Sequence, residues 1–247
     1  MDGSKKRLLP IDTLRGVTIL SMIVYHAMWD VVFLKGRDIT WYRGTPGFIW
    51  QQSICCTFIF LSGFCIPLSR RTFRRGMEVF LAGVLVSAVT ILFLPENRIL
   101  FGVLTLIGTA MLLMAGTKTA CFDKVPATAG LLISLVFFCL LRGVNEGYWG
   151  ILFFPLGHFP EGWYRGLLMT FLGFPDPSFF STDYFSVLPW VLLFLSGYFF
   201  HRVLREKGET EKDYWTKEIP FLSALGRHSL PIYLVHQVVL YGIFMAV

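Results

Sequence analysis

Long apolar stretches separated by short polar or basic segments make up most of the chain. An α-helix rises about 1.5 Å per residue, so about 20 apolar residues cross the roughly 30 Å hydrocarbon core of a membrane. The pattern predicts about seven such helices. They cover residues 10–34, 47–68, 76–94, 99–116, 126–142, 184–201 and 229–246. We therefore expect an all-α, polytopic membrane helix bundle that forms a single domain over residues 1–247.

The segment 143–183 interrupts this pattern. Its one apolar stretch, YWGILFFPLG at 148–157, is too short to cross the membrane as a helix. The prolines that stiffen the segment are Pro155, Pro160, Pro175 and Pro177. The pattern favours an interfacial or re-entrant element, which could cover a cavity of the bundle as a surface lid. A kinked eighth span is the alternative.

Composition supports a membrane protein. Of the 247 residues, 55% are hydrophobic and only 15% are charged, whereas soluble domains carry about a quarter. Short loops between the apolar spans carry the net charge of +6, which is typical of topology signals rather than of a nucleic-acid-binding patch. We therefore expect membrane lipids as partners and no nucleic acid. The five cysteines show no metal-ligand spacing, so no metal site is predicted.

The basic residues also predict the orientation of the chain. A cytoplasmic N-terminus places the tail 1–8, the arginine cluster 70–75 and the segment 202–217 inside. The loops assigned to the outside then hold far fewer lysines and arginines, as the positive-inside rule requires. With seven spans, the C-terminus lies outside. The first span also lacks the short apolar core and small-residue cleavage site of a removable signal peptide.

The first span carries charged residues that membrane helices rarely contain. Because a charged side chain in hydrocarbon is costly, such residues usually face a bundle interior or a wet cavity. At about 100° per residue, Asp12, Arg15, Met22, His26 and Asp30 fall on one side of the helix. Arg15 and His26 lie roughly 16 Å apart along the axis. We therefore expect this helix to be the active centre, with a charged anchor near one membrane face and a titratable base deeper in.

Two histidines are candidates for chemistry. His26 and Asp30 are four residues apart, close enough for the carboxylate to orient the ring and make it a general base. The alternatives are a structural hydrogen bond between helices for His26, and solvation near the interface for Asp30. His236 in the last span predicts a polar cavity lined by the first and last spans, and an interhelical hydrogen bond is again the alternative.

Arginines supply candidate anion-binding residues. Arg15 can present its planar guanidinium to a phosphate, or Asp12 and Arg15 can simply neutralise each other one helical turn apart. Arg70, Arg71 and Arg227 lie towards the same predicted face and could border an anionic cofactor. The loop arginines also act as topology signals.

Polar residues on the predicted outer side could line a mouth for a substrate. Gln51 and Gln52 lie at the start of the second span, and Asp183 and Tyr184 precede the sixth.

Four segments resemble a known family. The opening IDTLRGVTILSMIVYH at 11–26 and FIFLSGFCIPLS at 58–69 are similar to the catalytic domain of heparan-alpha-glucosaminide N-acetyltransferases and their short bacterial relatives. STDYFSVLPWVLLFLSGY at 181–198 and GRHSLPIYLVHQVVLYGI at 226–243 also resemble that short bacterial group. Arg15 and His26, with ten residues between them, resemble the pattern of the membrane-bound acyltransferase-three family.

The resemblance implies a membrane enzyme that takes an acetyl or other short acyl group from cytoplasmic acetyl-CoA or another acyl-CoA. The group would go to an amine or hydroxyl of a small sugar or glycoconjugate acceptor on the far side of a bacterial plasma membrane. By position, Arg15 would serve the CoA side and His26 the transfer centre. The oligomeric state stays open, with a homodimer among the possibilities.

One departure from the family and two competing functions remain. In the lysosomal enzyme of that family an asparagine stands where His26 sits, and a histidine base lies in the following loop. The corresponding loop here, 35–45, contains no histidine. Either His26 has the base role, as in acyltransferase-three proteins, or the mechanisms differ. The competing functions are a proton-coupled transporter or flippase that uses His26 and Asp30, which the absence of an internal repeat disfavours, and a non-enzymatic membrane subunit.

Overall fold

The chain folds as a helical membrane bundle, which confirms the predicted fold class. The computed structural model describes residues 8–117, 120–151 and 154–246. In chain order the helices are α1 (Leu9–Trp29), α2 (Thr40–Arg43), α3 (Thr45–Phe64), α4 (Thr72–Phe93), α5 (Val103–Gly116), α6 (Ala120–Asp123), α7 (Ala127–Leu140), α8 (Gly166–Leu172), α9 (Val187–Glu206), α10 (Pro220–Arg227) and α11 (Ser229–Ala246). Within the described residues, six helical segments are long and apolar enough to cross a membrane: Leu9–Leu34, Thr45–Leu68, Thr72–Phe93, Ala127–Glu146, Val187–Glu206 and Ser229–Ala246.

The fourth predicted span is shorter than expected. Helix α5 has 14 residues, or roughly 21 Å, because residues 99–102 are not helical. This is less than the roughly 30 Å that a straight crossing needs. Helix α5 therefore determines the side of the C-terminus, because seven crossings place the termini on opposite faces and six place them on the same face.

The apolar stretch in 143–183 is a β-hairpin rather than a helix. Strands β1 (Tyr148–Ile151) and β2 (Phe154–His158) pair antiparallel, and the register shifts between Trp149 and Gly150. A side chain at Gly150 would overlap the backbone carbonyl of Phe154, so glycine permits the close approach. The alternative of a kinked eighth span is therefore wrong over the described part of this stretch, and the fold contains a small sheet that the all-α prediction omitted.

The contacts of the chain fall into two compact units. The first unit comprises Met1–Leu61 and Lys207–Val247, and the second comprises Ser62–Glu206. The first and last spans thus belong to one unit, although they lie at opposite ends of the sequence. The prediction of a single domain over the whole chain is not tested by this division.

In the first unit, α10 packs closely against the beginning of α1. A side chain at Gly16 would overlap the backbone carbonyl of Leu222, and one at Gly226 would overlap that of Asp12. The hydroxyls of Thr13 and Ser223 lie 2.8 Å apart at the same contact. Small residues on both helices therefore bring the two backbones together, as in other membrane helix pairs.

Further along α1, an apolar core joins α1, α3 and α11. Ile19, Met22 and Ile54 form its buried centre. Among the side chains that pack around it are Ile232 and Tyr233 of α11. Met22 lies on the side of α1 predicted to face the bundle interior, and this core fixes how α1 and α11 meet.

In the second unit, glycines and one buried arginine determine the packing. A side chain at Gly63 would overlap the backbone carbonyl of Phe194, so α9 approaches the end of α3 closely. Arg202 of α9 is buried and donates from Nη1 to the carbonyls of Phe122 (2.7 Å) and Val125 (3.0 Å). Arg202 therefore satisfies carbonyl groups in the connection between α6 and α7 and has a structural role.

Candidate polar site between the first and last spans

The polar side of α1 continues into a turn of different geometry. Pro10 lies in the first turn, where its missing N–H costs no helical hydrogen bond. After Trp29 the helix continues as a π-helical turn, Asp30–Leu34, closed by a 3.0 Å hydrogen bond from the Lys35 amide to the Asp30 carbonyl. Both Asp30 and Val32 are fully buried in this turn. Single π turns inside α-helices often lie at functional sites.

His26 of α1 and His236 of α11 contact each other. Their ring centroids are 4.8 Å apart, and the ring planes meet at 62°. His236 is buried and His26 is half-buried. The two histidines predicted to line a cavity from the first and last spans therefore lie together in the first unit.

The backbone determines which nitrogen of His236 carries the proton. Nδ1 of His236 lies 2.6 Å from the carbonyl oxygen of Tyr233. Because a carbonyl can only accept, Nδ1 must donate, and the neutral ring then has its lone pair on Nε2. That Nε2 is buried and has no hydrogen-bond partner among the described residues. His236 thus presents an unused proton acceptor beside His26.

Asp30 is held by the last span rather than by His26. The Gln237 side-chain amide donates to Oδ1 of Asp30 at 3.1 Å. Within the described part of the chain, Oδ2 of Asp30 and Oε1 of Gln237 are buried without a hydrogen-bond partner. His26 and Asp30 lie on one face of α1, as the sequence indicates, but no hydrogen bond joins them among the residues described. The structure therefore gives Asp30 a different partner from the one expected.

Aromatic side chains form the other side of this region. Tyr25 packs edge-on against His26, at 5.8 Å between centroids, and against Trp50, at 5.3 Å. The Tyr42 hydroxyl donates to the Tyr25 carbonyl at 2.9 Å. Burial, followed by the neighbouring Tyr25 side chain and the Asp30 carboxyl, raises the pKa of the Tyr42 phenol above its ordinary value. Tyr42 therefore remains a protonated donor.

The candidate anion-binding arginines have different surroundings. Arg15 lies 3.4 Å from the Asp12 carboxylate, and 22% of its side chain is exposed. Arg227 in the first unit pairs with Glu218 at 3.6 Å. The contact between Arg15 and Asp12 agrees with mutual neutralisation and leaves part of the Arg15 side chain accessible.

The loop arginines Arg70 and Arg71 are exposed and belong to the second unit. A role of Arg70 and Arg71 in anion binding remains a prediction.

Within the ranges that the structure describes, no group of three or more His, Cys, Asp or Glu side chains could hold a metal ion.

The residues predicted to line an outer mouth fall in different units. Gln51 and Gln52, both half-buried, are on α3 in the first unit, and Asp183 and Tyr184 are in the second. The Asp183 carboxylate accepts from the Val103 amide at 3.3 Å, at the beginning of α5. Asp183 and Tyr184 therefore both form hydrogen bonds within the second unit.

The contacts of Tyr184 are structural. Its hydroxyl donates to the backbone carbonyl of Thr170 on α8. Burial raises the pKa of Tyr184 to about 12, so the phenol stays protonated near neutral pH. This hydrogen bond ties the segment before α9 to α8, and a role of Tyr184 in substrate binding remains a prediction.

Asp183→Asn should remove a pH-dependent cost of folding. Burial raises the pKa of Asp183 to about 6, from 3.8, against the opposing effect of the Val103 amide. A carboxyl whose pKa is higher in the folded state makes the protein less stable as pH rises from about 4 to about 6, because the unfolded chain ionises first.

In Asp183→Asn the asparagine keeps an acceptor for the Val103 amide without the charge. We expect the unfolding midpoint at pH 7 to rise by about 3 °C and its decline between pH 4 and 6 to flatten. Thermal unfolding in detergent across this range measures both, and an unchanged slope would contradict the assignment.

The role of Gln237 was not predicted from the sequence. Its position next to His236 was visible, but its hydrogen bond to Asp30 depends on how α11 rotates against α1. Tyr42 was missed for a similar reason, because it lies in the short α2 helix between the first two spans, whose path the apolar pattern does not determine. For Gln237 the sequence did offer a signal, since a side-chain amide in an apolar span usually finds a polar partner on another helix of the bundle.

Comparison with known proteins agrees with the resemblance seen in the sequence. The family model described as heparan-alpha-glucosaminide N-acetyltransferase, catalytic, matches residues 7–238, nearly the whole chain. No curated protein and no solved structure matches this chain. The matched range includes both histidines of the polar site. The chain is therefore a member of the heparan-alpha-glucosaminide N-acetyltransferase catalytic-domain family, a family of membrane acetyltransferases.

Proposed function

We propose that this protein transfers an acetyl or other short acyl group from cytoplasmic acyl-CoA to an amine or hydroxyl of a sugar-type acceptor at the outer side, with His26 as general base. The observation that carries the proposal is the contact between His26 and His236 inside the first unit of a chain that belongs to this family. Buried polar side chains in membrane spans usually mark a reaction or transport path.

Arg15 is the residue of α1 best suited to the CoA end. CoA is polyanionic and remains in water, whereas its pantetheine arm is long and thin. The Arg15 guanidinium is partly exposed, and along α1 it lies roughly 16 Å from His26. A thioester at the end of the arm could then reach the histidines while the phosphates stay at the membrane face. Asp12 accepts a hydrogen bond from the Arg15 guanidinium, which orients it, and the Asp12 carboxylate offsets part of its positive charge.

His26 would remove the proton from the acceptor. An amine or hydroxyl attacks the thioester carbonyl, and the attacking atom loses its proton as the new bond forms. The thioester oxygen needs a hydrogen-bond donor while it is negatively charged. Direct transfer and an acyl-histidine intermediate both agree with this arrangement.

The experiment that tests the function is acetyl transfer by the purified protein in detergent. Labelled acetyl-CoA is supplied with glucosamine-type acceptors, and acetylated acceptor is measured over time. We expect transfer that depends on both substrates, together with CoA-dependent quenching of tryptophan fluorescence. Binding of CoA without transfer would mean that the acceptor is different, and failure to bind CoA would reject the acyltransferase function.

The fully buried Asp30 carboxyl favours one alternative, a proton-coupled transporter or flippase. An ionisable residue inside a membrane span is a typical element of a proton relay. The two functions differ in a direct measurement. Proton uptake into liposomes that requires a small-molecule substrate but no CoA would support transport, and transfer without proton movement would support the enzyme.

A further inference from the structure

We propose that His236 is a proton-relay residue, whose Nε2 takes over the proton that His26 removes from the acceptor. This inference rests on the proposed function and names a second residue for the same site. It goes beyond a general base at His26 because it gives the proton a specific next position. The residue lies on the last span, some 210 residues from His26 in the chain.

The backbone of α11 fixes the direction of the His236 ring. Its Nδ1 donates to the Tyr233 carbonyl at 2.6 Å, one turn earlier on α11, so the helix itself fixes the tautomer. The Nε2 lone pair is consequently available at all times and needs no rearrangement before accepting a proton. A hydrogen bond to a backbone carbonyl also stabilises the protonated ring, because Nδ1–H becomes a stronger donor when the ring is charged.

The Nε2 atom of His236 has no other hydrogen-bonding role among the described residues. Nε2 of His236 is buried and has no hydrogen-bond partner among the described residues. Leaving a buried polar atom unpaired costs about 1–3 kcal/mol, so an unpaired lone pair requires an explanation. The adjacent His26 ring, 4.8 Å away between centroids, provides one, because it can present a proton after it has reacted.

The groups around the two histidines have other contacts. Tyr25 faces His26 with its ring, and Tyr233 faces His236 at 5.5 Å between centroids. The Asp30 carboxylate accepts from Gln237 rather than from either histidine. Asp30 therefore holds neither histidine ring through a hydrogen bond, and His236 remains the acceptor in contact with His26.

With an amine acceptor, one proton moves from the acceptor through the two histidines to the CoA sulfur. The acceptor nitrogen forms a bond to the acyl carbon and the carbon–sulfur bond breaks, leaving its electron pair on the CoA sulfur. The proton leaves the nitrogen for His26, and His26 passes a proton from its ring to Nε2 of His236. Return of one proton to the CoA thiolate gives the thiol product and restores both neutral rings.

The tautomer can be tested without any turnover. The protein, labelled with ¹⁵N-histidine in nanodiscs, contains five histidines, and single substitutions assign the His236 signals. We expect a protonated Nδ1 and an unprotonated Nε2 for His236 at neutral pH. A protonated Nε2 would overturn the proposal, whether or not the protein transfers acetyl groups. Loss of the acyl-transfer function itself would appear separately, as absent transfer by the unmodified protein.

The relay is tested with His236→Gln and His236→Ala. We expect kcat to fall about 100-fold while the KM for acetyl-CoA stays within about twofold, because proton transfer rather than binding is affected. Added imidazoles should restore activity to His236→Ala in proportion to their basicity, which a merely space-filling role would not produce. A kcat within about threefold of the unmodified protein, or rescue that ignores basicity, would overturn the proposal.

A matched control separates the relay from a general effect of losing a histidine. His228 belongs to the same unit, and its Nδ1 also lies near a backbone carbonyl, that of Ala224 at 2.9 Å, but its side chain is exposed. His228→Gln should leave kcat unchanged. Unfolding midpoints of all variants are compared with the unmodified protein, and His236→Gln, which keeps a polar side chain, serves if His236→Ala folds poorly.

Discussion

His26→Ala should reduce acetyl transfer by about 10²–10⁴-fold, the usual contribution of a positioned general base. His26 is half-buried on the polar side of α1 and contacts His236. Removing its ring leaves the attacking amine or hydroxyl without a group to take its proton. Binding of CoA should be retained, because Arg15 lies about three helical turns away. Initial rates with labelled acetyl-CoA and CoA-dependent fluorescence quenching measure the two effects.

The control for this prediction is His228→Ala, which removes an exposed histidine of the same unit. It should change neither rate nor binding. Equal transfer by His26→Ala and the unmodified protein would remove His26 from the mechanism and would leave His236 as the candidate base. A loss of transfer accompanied by a large drop in the unfolding midpoint would instead indicate a packing role for His26.

The sequence predicted the membrane class and most of the helices because apolar length and charge are local properties. The first span illustrates this, since its polar side follows directly from the helical period. The approach of His26 to His236 was also predicted in outline, because polar residues in membrane spans face the interior of a bundle. Local periodicity therefore determined which side chains could meet.

The sequence could not predict which polar atoms pair within that cavity. Asp30 was expected to orient His26, since both lie on one face of α1, yet it accepts from Gln237. Helical spacing determines the face of a side chain but not the rotation of the neighbouring helix. The π-helical turn at Asp30–Leu34 has no sequence signal in the apolar pattern, and it alters the direction of the last residues of the span.

The hairpin was missed for a related reason. YWGILFFPLG contains too few residues for a membrane helix, and its apolar run has no period of two that would indicate a half-buried strand. Its pairing depends on Gly150, whose missing side chain permits contact with the partner strand. Close backbone approach is a three-dimensional property, and a glycine in the sequence does not show which chain segment approaches it.

Gly16→Ala should destabilise the protein by about 3 kcal/mol, although alanine is the better helix former. The new methyl group would overlap the carbonyl of Leu222, whose Cα would lie 3.0 Å away, so backbone rather than a flexible side chain must move. We expect the unfolding midpoint in detergent to fall by about 5 °C or more and the amides of α10 to exchange faster with solvent.

The same substitution at Gly242 provides the matched control, because this glycine lies in the α11 helix of the same unit and a Cβ there would meet nothing within 4 Å. Gly242→Ala should leave the midpoint unchanged or raise it slightly, since alanine restricts the unfolded chain.

Gly226→Ala, which creates a clash with Asp12 at the contact between α1 and α10, should resemble Gly16→Ala. The double variant should lose less than the two single losses added together, because either clash alone separates α1 from α10. Additive losses would show that the two glycines belong to independent contacts, and an unchanged midpoint in Gly16→Ala would show that α10 does not stabilise α1.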